Sequence, residues 1–549
     1  MKDISGAGAA RRAMPRALAS AVFSAVLMTL AVPNELFKHG LVPLGFIALV
    51  PLYLAVLELG GPKASALVVG VFGALQHALT SFWLWFFQDY RIWTLGSTTL
   101  AYFVVYSVLG LYLWLFLSKS GRARPLAFIV LWVGFEYQKS TGFLGYPWGL
   151  LPYSLTDALP LLQIADLTGL YGVTAVLAAC NAALAELLLG LGPATAGRPS
   201  LRLPSRLSAR VRGGYAAFAL ALTALSLGYG LARMAVPIPR VGSIDAVLVQ
   251  QNTDPWADGD EDAAVATNIR LAKEAIAAAP RKPDLVVFSE TTLRRPYAEF
   301  RAYFSKRPAS DPLIPFIRDS GAWLLTGAPV VVDWKSFDAT NSVILIDPES
   351  RLVKSYAKVH PVPFAEAIPF WEIPAFRSFM QKVVGLESGW ALGTEFVVFE
   401  LPTKSGTFRF GSPICFEDAF ADVCRNFALQ DADLLINLTN IAWSRTDSAE
   451  IQHWAAARFR AIESRRTLVR STNGGVSCVV GPYGETIDSL PLFTATAKFV
   501  QVPVFRDASP TVYTSWGDWF AHAALLLSAA LSIILMFVER KAPTIERRR

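Results

Sequence analysis

The sequence predicts a two-part protein: a polytopic α-helical membrane domain, eight spans in all, and a soluble α/β domain in which sheets are covered by helices. Three observations lead there. The 549-residue chain is 53% hydrophobic and only 17% charged, a balance typical of membrane proteins. Nearly uncharged stretches of about 20 residues, long enough to cross a bilayer, crowd the first 236 residues and recur once near the C-terminus. Between them, residues 240–515 alternate short aliphatic runs with helical periodicity, as soluble layered domains do.

The spans are expected at 16–34, 41–59, 64–86, 93–117, 125–138, 166–190, 214–236 and 518–538. The first, preceded by Lys2, Arg11, Arg12 and Arg16, has the look of a signal peptide. Spans follow it closely, so it reads as an uncleaved helix. The fifth is short and carries Glu136 at its end. Eight spans place the basic clusters of residues 2–16, Lys63, 119–124, 198–212 and 540–549 on one side. The short loops opposite hold Lys38, Arg91 and Lys139. By the positive-inside rule both termini are cytoplasmic and the soluble domain lies outside the membrane. The net charge of +7 is therefore a topology signal and a contact with anionic lipid, not a nucleic-acid footprint. The Arg-rich segment 196–213 reads as a cytoplasmic loop. This division gives 1–236 as membrane domain, 237–515 as catalytic domain and 516–549 as last span and basic tail. His77 and Gln76 are the main polar residues deep in a span, and they read as partners within the bundle. Bare span interiors disfavour a transporter or receptor.

In the soluble part, "IDAVLVQQN", "PDLVVFSE" and "AWLLTGAPVV" read as buried strands, and "AVATNIRLAKEAIAAA" as a helix. "ATNSVILIDPESRLVKSYAKVH" reads as a hairpin turning at Asp347-Pro348-Glu349-Ser350. "FRFGSPICFED" is a strand that turns into a helix, "ADLLINLTN" a strand, and "AEIQHWAAARFRAIESRR" a long helix. "TLVRSTNGGVSCVVGPYGETI" supplies a strand, a turn and a hairpin.

Functional groups of such domains gather beyond the C-terminal ends of strands. Glu290, Lys358 and Cys415 all stand at strand ends. Singly, each has an ordinary explanation: a cap, a solvated charge, a packing thiol. Together they form a chemical unit. A thiol near pKa 8.5 is mostly protonated at neutral pH, so Glu290 is the candidate base that takes its proton. Lys358 stabilises thiolate and oxyanion, with the Phe416 amide as second oxyanion donor. Glu366 holds Lys358 or shuttles a proton. Cys180, Cys415, Cys424 and Cys478 show no metal-binding spacing. Location alone allows a Cys424–Cys478 disulfide. His360 and His453 are expected to make structural hydrogen bonds. The apolar segment 368–390, with Arg377 and Lys382, reads as a mobile lid facing the membrane or as a segment packed on the domain's own core. Trp443, Trp516 and Trp519 are candidate interfacial contacts.

"VVFSET", "SYAKVHPVPFAE" and "SPICFED", in that order, resemble the Glu-Lys-Cys motifs of the nitrilase superfamily. With the spans around them, and "TGFLGYPWGLLPYSL" and "LLQIADLTGLYGV" within the membrane part, nearly the whole chain resembles the bacterial apolipoprotein N-acyltransferases. The resemblance implies an αββα sandwich for the soluble domain. It implies transfer of an acyl chain from a phospholipid, through a Cys415 thioester, to the α-amine of a diacylglyceryl-cysteine lipoprotein at the outer face of the inner membrane. Glu290 is then the base, Lys358 the oxyanion stabiliser and Cys415 the nucleophile. Glu366 and Glu417 are supporting acids and Phe416 lines the pocket. No metal or organic cofactor is implied, and the protein is expected to be a monomer. The chain departs from the family pattern at Phe288-Ser289, Ala365, Phe416 and Ile441. The competing reading is a membrane-anchored nitrilase-type amidase with water as acceptor. Seven N-terminal spans are excessive for an anchor.

Overall fold

In the computed structural model, residues 4–88, 90–191, 207–253, 261–336, 338–385 and 389–537 are described. Helix occurs at each of the eight predicted segments. Five helices among the described residues are long and apolar enough to cross a membrane: Ala13–Ala31, Ile92–Lys119, Leu170–Leu191, Ala209–Ala235 and Trp519–Phe537. The other three segments are interrupted or more polar. Pro43 and Pro51 sit at helix starts, so the segment 41–59 is split into Val42–Gly45 and Val50–Glu58. The segment 64–86 is helical as Pro62–Thr80 and then tightens into a 3₁₀ turn at Phe82–Phe86. Arg124–Ser140 has 17 residues and carries Arg124, Glu136 and Lys139. His77 bonds Thr98 at 2.9 Å and Gln76 reaches the Gly149 carbonyl at 3.3 Å, the partnering within the bundle that their burial requires. The predicted loop 196–213 lies outside the described residues up to 206, as do the basic tail 540–549 and Lys2.

Among the described residues the α/β part is built on twelve strands: β1 Arg240–Gln250, β2 Leu285–Val287, β3 Trp323–Asp333, β4 Asp338–Ile346, β5 Leu352–Ala357, β6 Val398–Thr403, β7 Gly406–Gly411, β8 Leu434–Thr439, β9 Thr467–Thr472, β10 Cys478–Val480, β11 Thr486–Ser489 and β12 Thr496–Phe505. They form two six-stranded sheets, ordered β12-β1-β2-β3-β4-β5 and β11-β10-β9-β8-β7-β6. The centre of each sheet is parallel (β1–β2–β3 and β7–β8–β9) and the flanks are antiparallel. The alternation of side chains along a strand explains the layering. On β1, Ile244, Ala246 and Leu248 join the core between the sheets. Val247 and Val249 point the other way, onto helices Glu261–Ala278 and Leu313–Ser320. Helices Ala421–Leu429 and Asp447–Ser464 cover the second sheet. The result is an αββα sandwich, with its two parallel strand sets ending on one side.

The hairpin β4–β5 turns at Asp347–Ser350 as predicted, Ser350 donating to the Asp347 carbonyl at 2.8 Å. Strands β6 and β12 were not anticipated. Cys424 and Cys478 are both free and buried, so no disulfide joins them. Trp516 and Trp519, at the start of the last helix, pack edge to face with centroids 6.3 Å apart and are both exposed.

Candidate active site

Glu290, Lys358 and Cys415 meet at one end of the sandwich. Glu290 follows β2, where the chain crosses closely over β3. A side chain at Gly327 would stand 2.3 Å from the Thr291 nitrogen and 2.8 Å from the Glu290 Cα, so only glycine permits the crossing. The Glu290 carboxylate accepts from Asn341 Nδ2 and from the Asn440 amide, each at 2.9 Å. Burial raises its pKa above the usual carboxylate range, while the Lys358 charge, Asn341 and the Cys415 thiol pull it back.

Lys358 follows β5. Its buried ammonium lies 2.8 Å from Glu366 Oε1, 2.7 Å from Oε2 and 3.8 Å from Glu290 Oε1. Burial alone would lower its pKa; the two carboxylates outweigh burial and raise it, so Lys358 stays charged. Glu366 is held by the Val362 amide at 2.7 Å and by Asn341 at 2.9 Å. Asn341 thus bridges both acids, and the lysine sits between them.

Cys415 opens a short 3₁₀ turn, Cys415–Ala419, with φ of +50°. A non-glycine residue in the left-handed region costs about 1–2 kcal/mol. The surroundings hold it there. Asn437 Nδ2 donates to the Pro413 and Cys415 carbonyls at 3.1 Å each. Glu417, fully buried, accepts from the Ile414 amide on one side of the turn and from the Val359 and His360 amides on the other, at 2.8, 2.8 and 2.9 Å. Tyr356 adds its hydroxyl at 3.0 Å. Glu417 therefore ties the lysine loop to the cysteine turn. Burial pushes its pKa up to about 7, against these hydrogen bonds. The Cys415 thiol is raised as well, first by burial and then by Glu290, with Lys358 opposing. The thiol thus stands beside the Glu290 carboxyl and the Lys358 ammonium.

Phe416 lies between a ring from the N-terminal helical part and a ring from the sandwich: Trp148 stacks on it at 5.3 Å and 11°, and His360 at 5.9 Å and 29°. His453 makes the expected structural bond, to Asp418 Oδ1 at 2.6 Å. His360 does not. Its ring packs against Phe420 at 3.8 Å, and among the described residues its Nε2 has no hydrogen-bond partner. Trp443 packs on Phe87 and Trp83 rather than standing alone at an interface. Asn341, Tyr356 and the Asn440 amide were missed as site residues. Asn341 lies within "TNSVILIDPES" and Asn440 within "LTN", both prominent strand-end patterns.

A cavity of about 1450 Å³ opens at the thiol. Cys415, Glu290 and Lys358 are among the residues that line it. Its walls run along helix Ile92–Lys119 (Val104, Val108) and the last helix (Leu525, Ile533). Within the predicted lid, short helical turns at Pro374–Phe379 and Met380–Val384 bring Phe376, Phe379, Met380 and Val384 to the cavity, while Phe370, Ile373 and Val383 are exposed. Residues 386–388 lie outside the described residues. Among the described residues no group of three or more His, Cys, Asp or Glu is arranged to hold a metal ion.

Two sheets closed by helices, with this trio at their strand ends and a lipid-sized cavity beside it, define a membrane-associated protein of the carbon-nitrogen hydrolase class; residues 246–504 match that family's model. Residues 24–183 match the model described as the apolipoprotein N-acyltransferase N-terminal domain. The chain is 37% identical over 519 residues to apolipoprotein N-acyltransferase 2 of Treponema denticola, covering 94% of this chain and 96% of the relative. It is 36% identical to apolipoprotein N-acyltransferase 2 of Treponema pallidum, over 96% of both chains. The apolipoprotein N-acyltransferase of Borreliella burgdorferi is 30% identical, over 96% of this chain and 97% of its own. The chain belongs to the apolipoprotein N-acyltransferase family and is an acyltransferase.

Proposed function

We propose that Cys415 carries an acyl chain from a phospholipid to the α-amine of a diacylglyceryl-cysteine lipoprotein. In the first step Glu290 takes the thiol proton and the sulfur attacks the ester carbonyl carbon. Lys358 and the Phe416 amide face the developing oxyanion. The carbon–oxygen bond breaks, Glu290 returns the proton to the leaving alkoxide, and a lysophospholipid departs. In the second step the amine attacks the thioester and Glu290 takes its proton. The carbon–sulfur bond breaks, the new bond is an amide, and the thiolate is reprotonated. One hard transfer becomes two easier ones. Glu366 fixes Lys358, Glu417 fixes the turn, and Phe416 lines the pocket.

The observation that carries this reading is the cavity. A volume of about 1450 Å³ walled by apolar side chains of the membrane helices suits acyl chains and far exceeds the need of a small amide. That favours lipid transfer over the amidase alternative. The division into 1–236, 237–515 and 516–549, with all eight helical segments crossing a bacterial inner membrane, both termini in the cytoplasm and the catalytic part on the periplasmic side, brings the thiol to the outer leaflet. The trio comes complete from one chain, so the reaction needs no partner subunit and a monomer suffices.

Intact-mass measurement after incubation with phospholipid tests the reading. An adduct of one acyl chain is expected, removed by hydroxylamine and absent from Cys415→Ala. A wild-type protein that stays unmodified with lipid bound, or that releases ammonia from small amides instead, overturns it.

A further inference from the structure

Two lysines line the cavity, and they are treated differently. Lys358 is held by two carboxylates. Lys139, near the end of helix Arg124–Ser140, is buried, with 7% of its surface exposed. Its ammonium donates to the Trp148 carbonyl at 2.5 Å and stands 5.7 Å from the centre of the Tyr102 ring. Among the described residues, no carboxylate lies within ion-pair distance of it. The nearest acid along its own helix, Glu136, attracts it from beyond ion-pair distance, and its oxygens are engaged elsewhere. Its Oε1 accepts from the Leu151 amide at 2.8 Å and from Trp132 Nε1 at 3.3 Å, and its Oε2 from Thr174 at 2.6 Å. An ammonium has three donors, and burying it without a directly paired carboxylate is costly. A buried cation with donors to spare, on the wall of a substrate cavity, calls for an anion from the substrate.

The position narrows the anion. The Trp148 carbonyl holds Lys139, and the Trp148 ring stacks on Phe416, the neighbour of Cys415. One residue thus spans from the ammonium to the nucleophile's turn. A glycerophospholipid likewise separates its phosphate from its ester carbonyls by a glycerol unit. The diacylglyceryl-cysteine acceptor carries no phosphate on its glycerol. We infer that Lys139 binds the phosphate of the acyl donor and sets its ester against Cys415. This rests on the reading of a phospholipid as donor, and it makes Lys139 a determinant of donor class: phosphate-bearing lipids over neutral glycerides.

The test uses full-length Cys415→Ala protein in detergent and non-reactive dialkyl ether lipids, so binding is measured without chemistry. The phospholipid ether should bind about tenfold or more tightly than the dialkylglycerol, the scale of one charge-assisted contact. Adding Lys139→Gln, which keeps a donor for the Trp148 carbonyl, should collapse that preference, and Lys139→Arg should preserve it. In the otherwise wild-type enzyme, Lys139→Gln should slow acylation by ester phospholipid by a similar factor and acylation by diacylglycerol far less. Equal weakening toward both lipids would reveal a purely structural lysine and overturn the inference. So would displacement of the ether phospholipid by millimolar inorganic phosphate, which would mark a free-phosphate site. Because ether lipids cannot react, failure of the wild-type enzyme to form an adduct would count against the acyl-carrier reading while the binding preference still decided the role of Lys139.

Discussion

Glu417 sits two residues beyond Cys415 and is not among the residues lining the cavity, yet four donors converge on it: the Ile414, Val359 and His360 amides and the Tyr356 hydroxyl. A glutamine there must turn its NH₂ toward at least one of those amides, whichever way it is placed. Glu417→Gln should therefore shift the turn and slow acyl-enzyme formation by about a hundredfold, the cost of a misplacement near 1 Å, read as single-turnover acylation. The same residue predicts a pH effect. Its pKa is raised from 4.5 to about 7 in the folded protein. Between those values the folded state holds a proton that the unfolded chain has released. Stability should fall as pH rises from about 4.5 through about 7, by a few kcal/mol at most, and level off above. Unfolding midpoints at pH 5 and pH 7.5 measure it, and Glu417→Gln should lack this component.

At the scale of elements, the trio was legible because each member closes an aliphatic run, where layered α/β domains expose their reactive groups. Asn341 and Tyr356 were not, since their roles arise from which strands lie side by side. Strands β6 and β12 escaped notice for a related reason. Both are edge strands that contain a proline, Pro402 and Pro503, which an edge tolerates and a central strand does not. β12 also alternates polar with apolar residues, weakening its aliphatic signal. Helix was located at each expected segment but its interruptions were not, because hydropathy averages over Pro43 and Pro51. The element that most needs a test is the segment carrying Trp148, whose ring contacts Phe416 and Tyr146, at 5.3 and 5.1 Å, and whose carbonyl takes Lys139. Trp148→Ala should lower stability by about 3–5 kcal/mol and slow acylation. Trp148→Phe, which keeps a ring on Phe416, should recover at least tenfold of the lost rate, measured side by side.

Across the whole molecule, the cavity works only if the apolar helices and the sandwich keep their alignment, and among the carboxylates that join them Asp166 gathers the most partners. Asp166 lies in the short helix Ala165–Thr168. Its Oδ2 accepts from Arg465 of the sandwich at 2.6 Å and from Arg233 at 3.4 Å, and its Oδ1 from Tyr229 at 2.8 Å. Arg233 and Tyr229 belong to helix Ala209–Ala235, and Arg233 also pairs with Asp507, just past β12. Arg465, fully buried in the left-handed position that ends helix Asp447–Ser464, reaches Gln163 and the Pro482 carbonyl as well. Removing the charge leaves two guanidiniums facing each other, one of them buried, which breaks a pair at a cost of about 3–5 kcal/mol. Asp166→Asn should lower the Tm and speed proteolysis between Ala235 and Arg240, while the protein that remains folded still acylates Cys415. Because the cost is that of an orphaned charge, Asp166→Leu combined with Arg465→Met should restore part of the Tm lost in Asp166→Asn. A double variant no more stable than the single one would place the contribution of Asp166 in its hydrogen bonds to Tyr229 and Arg233.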